Sequence, residues 1–281
     1  MIVITSPDEM TRYAESARQS GERIGLVPTM GFLHDGHLTL MREGRRQSSV
    51  LVASIFVNPM QFGPGEDFAR YPRNFERDCA MLERVPVDVV FAPEPAAMYS
   101  TDAQSWVDAG DITSGLCGAH RPGHFRGVTT VVAKLFNIVK PHLAVFGEKD
   151  FQQLRAIQKM VRDLNFDVEI LPVPIVREKD GLAMSSRNAY LSSTEREDAL
   201  ALSLALRAAR EKHRTDPCCA EEVVFAATRV LKRMKGVEIE YVEGVDAETL
   251  SRHPSLDRPI LIAIAARVGK TRLIDNVVLN P

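Results

Sequence analysis

Residues 24–38 of the chain read IGLVPTMGFLHDGHL. The first four residues are apolar and predict a buried strand, the glycine-bearing middle predicts a turn, and Leu38 and Met41 begin the apolar face of a helix. The start of such a helix combines unpaired backbone N–H groups with the positive end of the helix dipole, and both favour an anion. The stretch therefore predicts a phosphate-binding turn, to which His34 and His37 add side-chain donors.

The same succession of strand, turn and helix repeats along the first two thirds of the chain. Apolar runs at residues 49–57, 87–91 and 143–146 predict strands that are buried on both faces and joined by short links to helical patterns. Such units form a parallel, doubly wound α/β sheet. Because the pattern then changes, we predict a first domain over residues 1–175 and a smaller α+β lid domain over residues 176–281. Helices are predicted at residues 8–19, up to 46, 75–83, 128–139, 151–165, 193–210 and 219–235, and further strands at 171–176, 237–242, 260–267 and 272–278.

The composition is that of an ordinary globular protein. The 281 residues are 45% hydrophobic and 26% charged, and the formal net charge is -2. This charge balance gives no reason to expect nucleic acid or a membrane as a partner. No run approaches ~20 apolar residues, and the first residues lack the features of a signal peptide, so we expect a cytoplasmic protein with small-molecule partners.

The four cysteines are Cys79, Cys117, Cys218 and Cys219, and none of them forms a CxxC pair. This spacing indicates neither a disulfide framework nor a zinc site. We therefore expect small buried or incidental residues.

His34 and His37 are three residues apart, with Gly36 between them. Two imidazoles at a helix start suit phosphate oxygens, and the glycine lets a ligand approach closely. A metal site is one alternative, but partners at zinc-like spacing are not evident nearby. Plain surface histidines are the other alternative, and contact with phosphate is favoured over both.

Two later segments offer positive charge. Lys149 follows a predicted strand and would bind a phosphate, with Gln153 one helical turn later, although a solvated loop lysine is the alternative. Residues 184–187 offer two hydroxyls and a guanidinium, which suit a triphosphate and its leaving pyrophosphate. The alternative for them is a polar linker, and their position near the predicted domain boundary favours a closing clamp.

Other turns carry candidate substrate contacts. Asn58 and Gln61 follow a predicted strand and would hydrogen-bond a polar substrate, unless they serve only the turn. Arg121 and His124 would reach an anionic group. The candidate carboxylates for Mg²⁺, among which the sequence does not choose, are Asp78, Asp88 and Asp150.

Six segments, taken in order, point to one family. They are PTMGFLHDGH (28–37), FVNPMQF (56–62), YPR (71–73), PGHFRGV (122–128), FGEKDFQQL (146–154) and MSSRN (184–188). Each segment is modestly specific alone, and the ordered set is very specific. On these segments the chain resembles the pantothenate synthetase family, the pantoate–β-alanine ligases of the coenzyme A pathway.

The resemblance implies a Rossmann-like fold of the nucleotidyltransferase superfamily, ATP as a substrate, Mg²⁺ and a homodimer. It also implies two chemical steps. The carboxylate of (R)-pantoate attacks the α-phosphorus of ATP to give pantoyl adenylate and pyrophosphate, and the amine of β-alanine then releases pantothenate and AMP. A free carboxylate is a poor acyl donor, and adenylation supplies the leaving group that it lacks.

Residue roles also follow from the resemblance, by position in the motifs. The catalytic residues would be His37, Lys149 and Arg187. The ATP-binding residues would be Met30, His34, His37, Gly147, Lys149, Asp150, Val176, Met184, Ser185, Ser186 and Arg187. The residues binding pantoate or β-alanine would be Met30, Asn58, Gln61, His124 and Gln153, and Asp78 would lie near Mg²⁺.

Two other functions stay open at this point. Another adenylyltransferase of the superfamily would stop at the nucleotide product and would not need the Asn58 and Gln61 loop. A non-catalytic nucleotide-binding regulator would keep the loops and show no turnover. A tRNA synthetase is disfavoured, because the chain has no basic bias.

Overall fold

The computed structural model describes residues 1–215, 220–252, 254 and 257–281. The chain divides into two compact units. The first unit comprises Met1–Gly110, Arg121–Glu148 and Ala156–Pro174, and the second comprises Asp111–His120, Lys149–Arg155 and Ile175–Pro281. Two short segments from the first two thirds of the chain are thus counted with the second unit.

The first unit is built on a six-stranded parallel sheet. Its strands are β1 (Ile2–Ile4), β2 (Ile24–Thr29), β3 (Val50–Ile55), β4 (Val89–Phe91), β5 (Leu143–Gly147) and β6 (Glu169–Val173). Their order across the sheet is β1-β4-β3-β2-β5-β6, so β2 lies between β3 and β5. The strand order reverses at β2, and open α/β sheets bind ligands at the carboxyl ends of strands beside such a point.

Helices connect these strands. They are α1 (Pro7–Gln19), α2 (Asp35–Arg46), α3 (Phe75–Leu82), α4 (Pro95–Met98), α5 (Leu116–His120), α6 (His124–Val139) and α7 (Phe151–Asp163). Helix α5 belongs to the second unit, and α7 runs across the division between the units.

Both faces of the parallel sheet are covered by helices. On one face, Leu38 and Met41 of α2 and Leu82 of α3 pack with Val27 and Val145 of the sheet. Full burial of one such side chain contributes about 1.5–3 kcal/mol. Helices α1 and α6 pack on each other and on β2. This arrangement confirms the predicted doubly wound α/β sheet.

The second unit contains a three-stranded antiparallel sheet with two long helices. Its elements are α8 (Ser193–Thr215), α9 (Ala220–Leu231), β7 (Val237–Asp246), β8 (Ile260–Val268) and β9 (Thr271–Leu279). Alternate residues of β8 pack into two different hydrophobic clusters. Ile262 belongs to the cluster that includes residues of α8 and α9, whereas Leu261 packs with Leu116 and Phe151. The smaller α+β part is therefore confirmed.

Several local features differ from the predictions. Strand β1 was not predicted, because it has three residues and Ile2 and Val3 are exposed. Helix α6 begins at His124 rather than Val128, because Gly123 caps it with a φ of 81° and the chain is helical from there. Strand β6 starts earlier than predicted and tolerates Pro172 because it lies at the sheet edge.

The predicted helix start at Cys219 lies outside the described residues, as does Cys218. Cys79 and Cys117 are free thiols, and Cys117 is buried. Within the ranges that the structure covers, no helix has the length and apolar character needed to cross a membrane.

Candidate active site

The turn after β2 is held by a side chain from α3. Asp78 is 1% exposed and accepts hydrogen bonds from the N–H groups of Phe32 and Leu33, each at 2.7 Å. Gly31 and Phe32 have φ values of 77° and 48°. With this backbone conformation, the adjacent N–H groups of Phe32 and Leu33 both face the Asp78 carboxylate. These two donors therefore hold the turn that leads into the helix start.

His34 and His37 lie at the start of α2. His34 is the N-cap residue of the helix, and the two ring centroids are 4.0 Å apart. The backbone N–H of His34 donates to Nδ1 of His37 at 3.3 Å. Because Nδ1 accepts this bond, the hydrogen-bond network assigns the proton of neutral His37 to Nε2. His37 therefore carries a ring N–H donor at a helix N-terminus, which suits a phosphate oxygen.

Gly147 ends strand β5, next to this turn in the sheet order. Strand β5 pairs with β2 in parallel, with Gly25 opposite Leu143. The carboxyl ends of both strands therefore meet at the same edge of the sheet. The structure thus places Gly147 at the edge from which the turn after β2, which leads to His34 and His37 and is called the histidine turn below, leaves the sheet.

Gln61 is fixed by a buried neighbour. Asn58 is 1% exposed, and its amide nitrogen donates to Oε1 of Gln61 and to the carbonyl of Gly127, both at 3.1 Å. The hydroxyl of Tyr99 donates to Oδ1 of Asn58 at 2.9 Å. The side-chain nitrogen of Gln61 lies 3.1 Å from the sulfur of Met30. Asn58 therefore positions Gln61, and Gln61 and Met30 are brought together.

His124 supports the same turn from α6. Nη1 of Arg121 lies 3.0 Å from Nε2 of His124, and Nδ1 of His124 lies 2.7 Å from the carbonyl of Gln61. A guanidinium only donates, so Nε2 accepts and Nδ1 donates to the Gln61 carbonyl. Arg121 also forms two hydrogen bonds with Glu66, at 2.8 and 2.6 Å. Both ring nitrogens of His124 thus make contacts inside the protein, which favours support of the turn over direct contact with a substrate.

Two of these supporting residues were missed at the sequence level. Tyr99 and Glu66 belong to none of the quoted motifs, and only the folded chain brings them to Asn58 and Arg121. Burial acts to raise the pKa of Glu66, but the hydrogen bonds and charge of Arg121 outweigh it and hold that pKa below its ordinary value.

Lys149 lies in the second unit. Its carbonyl accepts a hydrogen bond from the side chain of Asn276 at 2.9 Å, and its Nζ lies 3.3 Å from Oδ2 of Asp150. The side chain of Lys149 is 21% exposed. Gln153 follows on α7 and is half-buried. Lys149 is therefore anchored through its backbone and carries a partly accessible charge.

Residues 176–190 bring the predicted clamp residues together within the second unit. The N–H of Met184 donates to the carbonyl of Val176 at 3.0 Å. Ser185 caps a short 3-10 helix, Ser186–Tyr190, by accepting a hydrogen bond from the N–H of Arg187 at 3.3 Å. Val176, Met184, Ser185 and Arg187 thus belong to one compact turn.

Asp78 and Asp88, two of the three candidate magnesium carboxylates, already have partners within the protein. Both oxygens of Asp78 hold the histidine turn, and burial raises its pKa against the effect of those N–H donors. Asp88 accepts hydrogen bonds from Leu51 N–H at 2.7 Å and from Arg45 at 2.6 Å. The described part of the chain holds no cluster of three or more histidine, cysteine or acidic residues placed for a metal. Asp78 and Asp88 therefore do not fit a protein-held Mg²⁺ site.

Comparison with known proteins gives one consistent result. The model of the pantoate–β-alanine ligase family matches residues 2–278. A protein named pantothenate synthetase from Thermotoga petrophila is 52% identical over 280 residues, which are 100% of both chains. Its namesake from Geobacter sulfurreducens is 53% identical and is covered to 99%.

Solved structures agree with the sequence relatives. A pantothenate synthetase crystal structure from Thermus thermophilus has a TM-score of 0.92 at 43% identity, with full coverage of both chains. A pantoate–β-alanine ligase from Francisella tularensis, complexed with beta-gamma ATP and β-alanine, has a TM-score of 0.82 at 33% identity and covers 99% of this chain and 97% of its own. The chain belongs to the pantoate–β-alanine ligase family.

Proposed function

We propose that the protein condenses (R)-pantoate with β-alanine to form pantothenate, using ATP through a pantoyl-adenylate intermediate and releasing AMP and pyrophosphate. The contact between Gln61 and Met30 carries this proposal. Asn58 holds the oxygen of the Gln61 side-chain amide, and the nitrogen of that amide lies against Met30, next to the turn that leads to His34 and His37. An adenylyltransferase that stops at a nucleotide product does not need such an amide.

The pantoate contacts would come from this fixed amide. Gln61 is 9% exposed, and Asn58 holds its carbonyl oxygen, so its side-chain nitrogen is the group available to face a hydroxyl or carboxylate oxygen. Met30 would supply an apolar wall beside it. We propose that Gln153 binds pantoate as well, and that Asn58 and His124 act by holding Gln61.

The nucleotide contacts would begin at the histidine turn. Nε2 of His37 would donate to an ATP phosphate oxygen as negative charge builds up during attack on the α-phosphorus. His34 would contact the same phosphates, and Gly147 would let adenosine approach the backbone closely.

In the second unit, Lys149 and Arg187 would stabilise the charge of the pentacoordinate phosphorus and the leaving pyrophosphate. Ser185 and Ser186 would donate to phosphate oxygens. Asp150, Val176 and Met184 would bind the nucleoside. By sequence, we propose a domain over residues 1–175 that binds ATP and pantoate and a smaller domain over residues 176–281 that contributes the turn at 184–187. In the observed division, residues 149–155, which include Lys149, are grouped with the second unit.

Mg²⁺ would arrive with the nucleotide, because the phosphates of ATP are its usual ligands and Asp78 and Asp88 do not fit it. When bound, it would neutralise phosphate charge. A homodimer and a cytoplasmic location are proposed from the family resemblance alone, and light scattering would test the first.

The proposal is tested by following products. With ATP, Mg²⁺ and pantoate, we expect pyrophosphate to be released once per enzyme subunit, and AMP with pantothenate to accumulate only after β-alanine is added. Omission of pantoate should abolish both. Formation of ADP, or ATP consumption that does not depend on pantoate, would contradict the proposal.

A further inference from the structure

Residues 177–183, which lead into the proposed triphosphate contacts at 185–187, form a loop closed by its own backbone hydrogen bonds. Residues 177 and 183 form an isolated antiparallel bridge. The N–H of Glu178 donates to the carbonyl of Leu182 at 2.8 Å, and the N–H of Gly181 donates to that of Glu178 at 2.9 Å. This small loop precedes Ser185, so its position determines where residues 185–187 lie.

A buried carboxylate fixes the base of the loop. Arg177 donates to both carboxylate oxygens of Asp275 on β9, at 2.7 and 2.9 Å, and to the carbonyl of Gly181 at 3.1 Å. The Asp275 side chain is 1% exposed. Removal of Arg177 would leave a buried charge unpaired and would destabilise the fold itself. Arg177 is therefore a structural residue and a poor probe of function.

Arg196 makes a second attachment, from the first turn of α8. Its Nη2 atom donates to Glu178 and, at 2.6 Å, to Asp180. The other oxygen of Glu178 accepts a hydrogen bond from the Asn188 amide at 2.7 Å, and that amide also donates to the carbonyl of Ala183 at 3.1 Å. Arg196 is thus linked through Glu178 to Asn188, the residue that follows Arg187.

These groups are partly exposed. The side chains of Arg196, Glu178 and Asp180 are 35%, 28% and 33% exposed. Ion pairs in such positions contribute little to global stability. They can still hold a loop in one arrangement, and a preordered loop does not lose further conformational entropy when it binds a ligand.

We propose that Arg196 is a positioning residue for ATP: through Glu178 and Asn188 it holds residues 185–187 in the arrangement that receives the triphosphate. This inference rests on the proposed function of that turn. Arg196 itself does not contact the nucleotide, so its loss acts on ATP affinity and leaves the affinity for pantoate unchanged.

The test compares Arg196→Gln with a matched control on the same helix. Arg214 lies in the last turn of α8, at the opposite end from Arg196, and pairs with Glu211 at 2.7 Å, with both side chains well exposed. For Arg196→Gln we expect the KM for ATP to rise about tenfold, which corresponds to reordering of one or two side chains on binding. The KM for pantoate and the melting temperature should stay close to those of the parent. Arg214→Gln should change none of these quantities.

Two further variants separate positioning from a general structural effect. Arg196→Lys keeps a cation that can reach the same carboxylates, so it should recover part of the ATP affinity. Asn188→Ala breaks the other end of the same chain of contacts. The double variant with Arg196→Gln should therefore raise the KM for ATP by less than the product of the single effects.

Hydrogen exchange measured by mass spectrometry gives a readout that is independent of activity. The amides of Glu178, Gly181 and Met184 are hydrogen-bonded within the loop. Their peptide should exchange faster in Arg196→Gln and not in Arg214→Gln. Absence of pantoate-dependent ATP chemistry in the parent protein would contradict the proposed function, whereas this exchange difference would still show whether Arg196 holds the loop.

Two results would overturn the inference. One is an active parent protein whose Arg196→Gln variant keeps the parent KM for ATP and the parent exchange rate. The other is a general defect without rescue by lysine, in which kcat and the melting temperature fall and the KM values for ATP and pantoate rise together. That result would make Arg196 a purely structural residue.

Discussion

Asp78 accepts a hydrogen bond from the backbone N–H of Leu33 at 2.7 Å, across 45 positions of the chain. Its second oxygen accepts from the neighbouring N–H of Phe32. Helix α3 therefore holds the turn from which His34 and His37 project. The buried carboxylate that the sequence offered as a metal ligand instead fixes the geometry of the two histidines.

Replacement of Asp78 by asparagine should impair nucleotide chemistry. The new NH₂ group would face a backbone N–H, so one of the two hydrogen bonds would be lost and the turn would shift. A displacement of about 1 Å in a catalytic group can lower the rate about 100-fold, and we expect kcat/KM for ATP to fall by about that factor. Steady-state kinetics measure it. Asp88→Asn also removes a carboxylate that accepts a backbone N–H, so it should lower stability with near-parent kinetics. Equal kinetics in the two variants would contradict the role of Asp78.

Gly127 should be irreplaceable where α6 meets the Gln61 turn. A Cβ atom at this position would lie 2.2 Å from the carbonyl oxygen of Met60. Gly127→Ala must displace that turn, so we expect a loss of about 1–3 kcal/mol in the free energy of unfolding and a raised KM for pantoate. Gly115→Ala is the control, because a Cβ atom at Gly115 would have no atom of the described residues within 4 Å. A parent-like KM for pantoate in Gly127→Ala would argue against Gln61 as a pantoate contact.

The ion pair between Glu66 and Arg121 should make stability depend on pH. Although burial acts to raise it, the pKa of Glu66 is held below its ordinary value of 4.5 by Arg121. A carboxyl group with a pKa lowered by folding adds stability above 4.5, and that stability is lost as the pH falls through the folded-state pKa. Glu66→Gln should therefore be less stable than the parent by about 1.5–3 kcal/mol at neutral pH, with the difference shrinking in acid.

Urea unfolding across this pH range measures the difference. Glu211 forms an exposed pair with Arg214, and Glu211→Gln is the control that should change stability little. A difference between Glu66→Gln and the parent that stays constant down to acid pH would show that ionisation of Glu66 does not contribute.

Replacement of Lys149 by alanine should lower kcat and leave the stability of the fold unchanged. Its backbone is anchored by Asn276, so Lys149→Ala removes the charge and leaves the chain in place. Loss of one group that stabilises transition-state charge typically lowers kcat by about 100- to 1,000-fold. We expect that loss in kcat, with an unchanged melting temperature. Lys159 pairs with Asp163 on α7, and Lys159→Ala serves as the control. Near-parent kcat in Lys149→Ala would remove Lys149 from catalysis.

Much of the fold could be predicted because elements that are buried on both faces have a recognisable apolar sequence pattern. Strands β2, β3 and β5 are covered on both faces and are nearly continuous apolar runs. Strand β1 has three residues, of which two are exposed, so its sequence does not show a long apolar run of this kind. Segments 111–120 and 149–155 belong to the second unit through long-range packing, such as that of Leu116 and Phe151 with Leu261, which no local periodicity encodes.

The candidate site shows the same limit. The motifs pointed to His37 and Gln61, because both lie in segments that resemble the motifs of the family. The supporting residues Asp78, Glu66 and Arg196 act through partners that are 18 to 55 positions away, and a carboxylate that holds a turn looks the same in sequence as one that holds a metal.

The central claim is that pantoate is activated as an acyl adenylate, and an oxygen-transfer measurement tests it most directly. Pantoate labelled with ¹⁸O in its carboxylate is incubated with the enzyme, ATP, Mg²⁺ and β-alanine, and the AMP is analysed by mass spectrometry. Attack of the carboxylate on the α-phosphorus places one pantoate oxygen in each AMP molecule, so we predict one ¹⁸O atom per AMP. Unlabelled AMP, or label found in a phosphate product instead, would contradict the account.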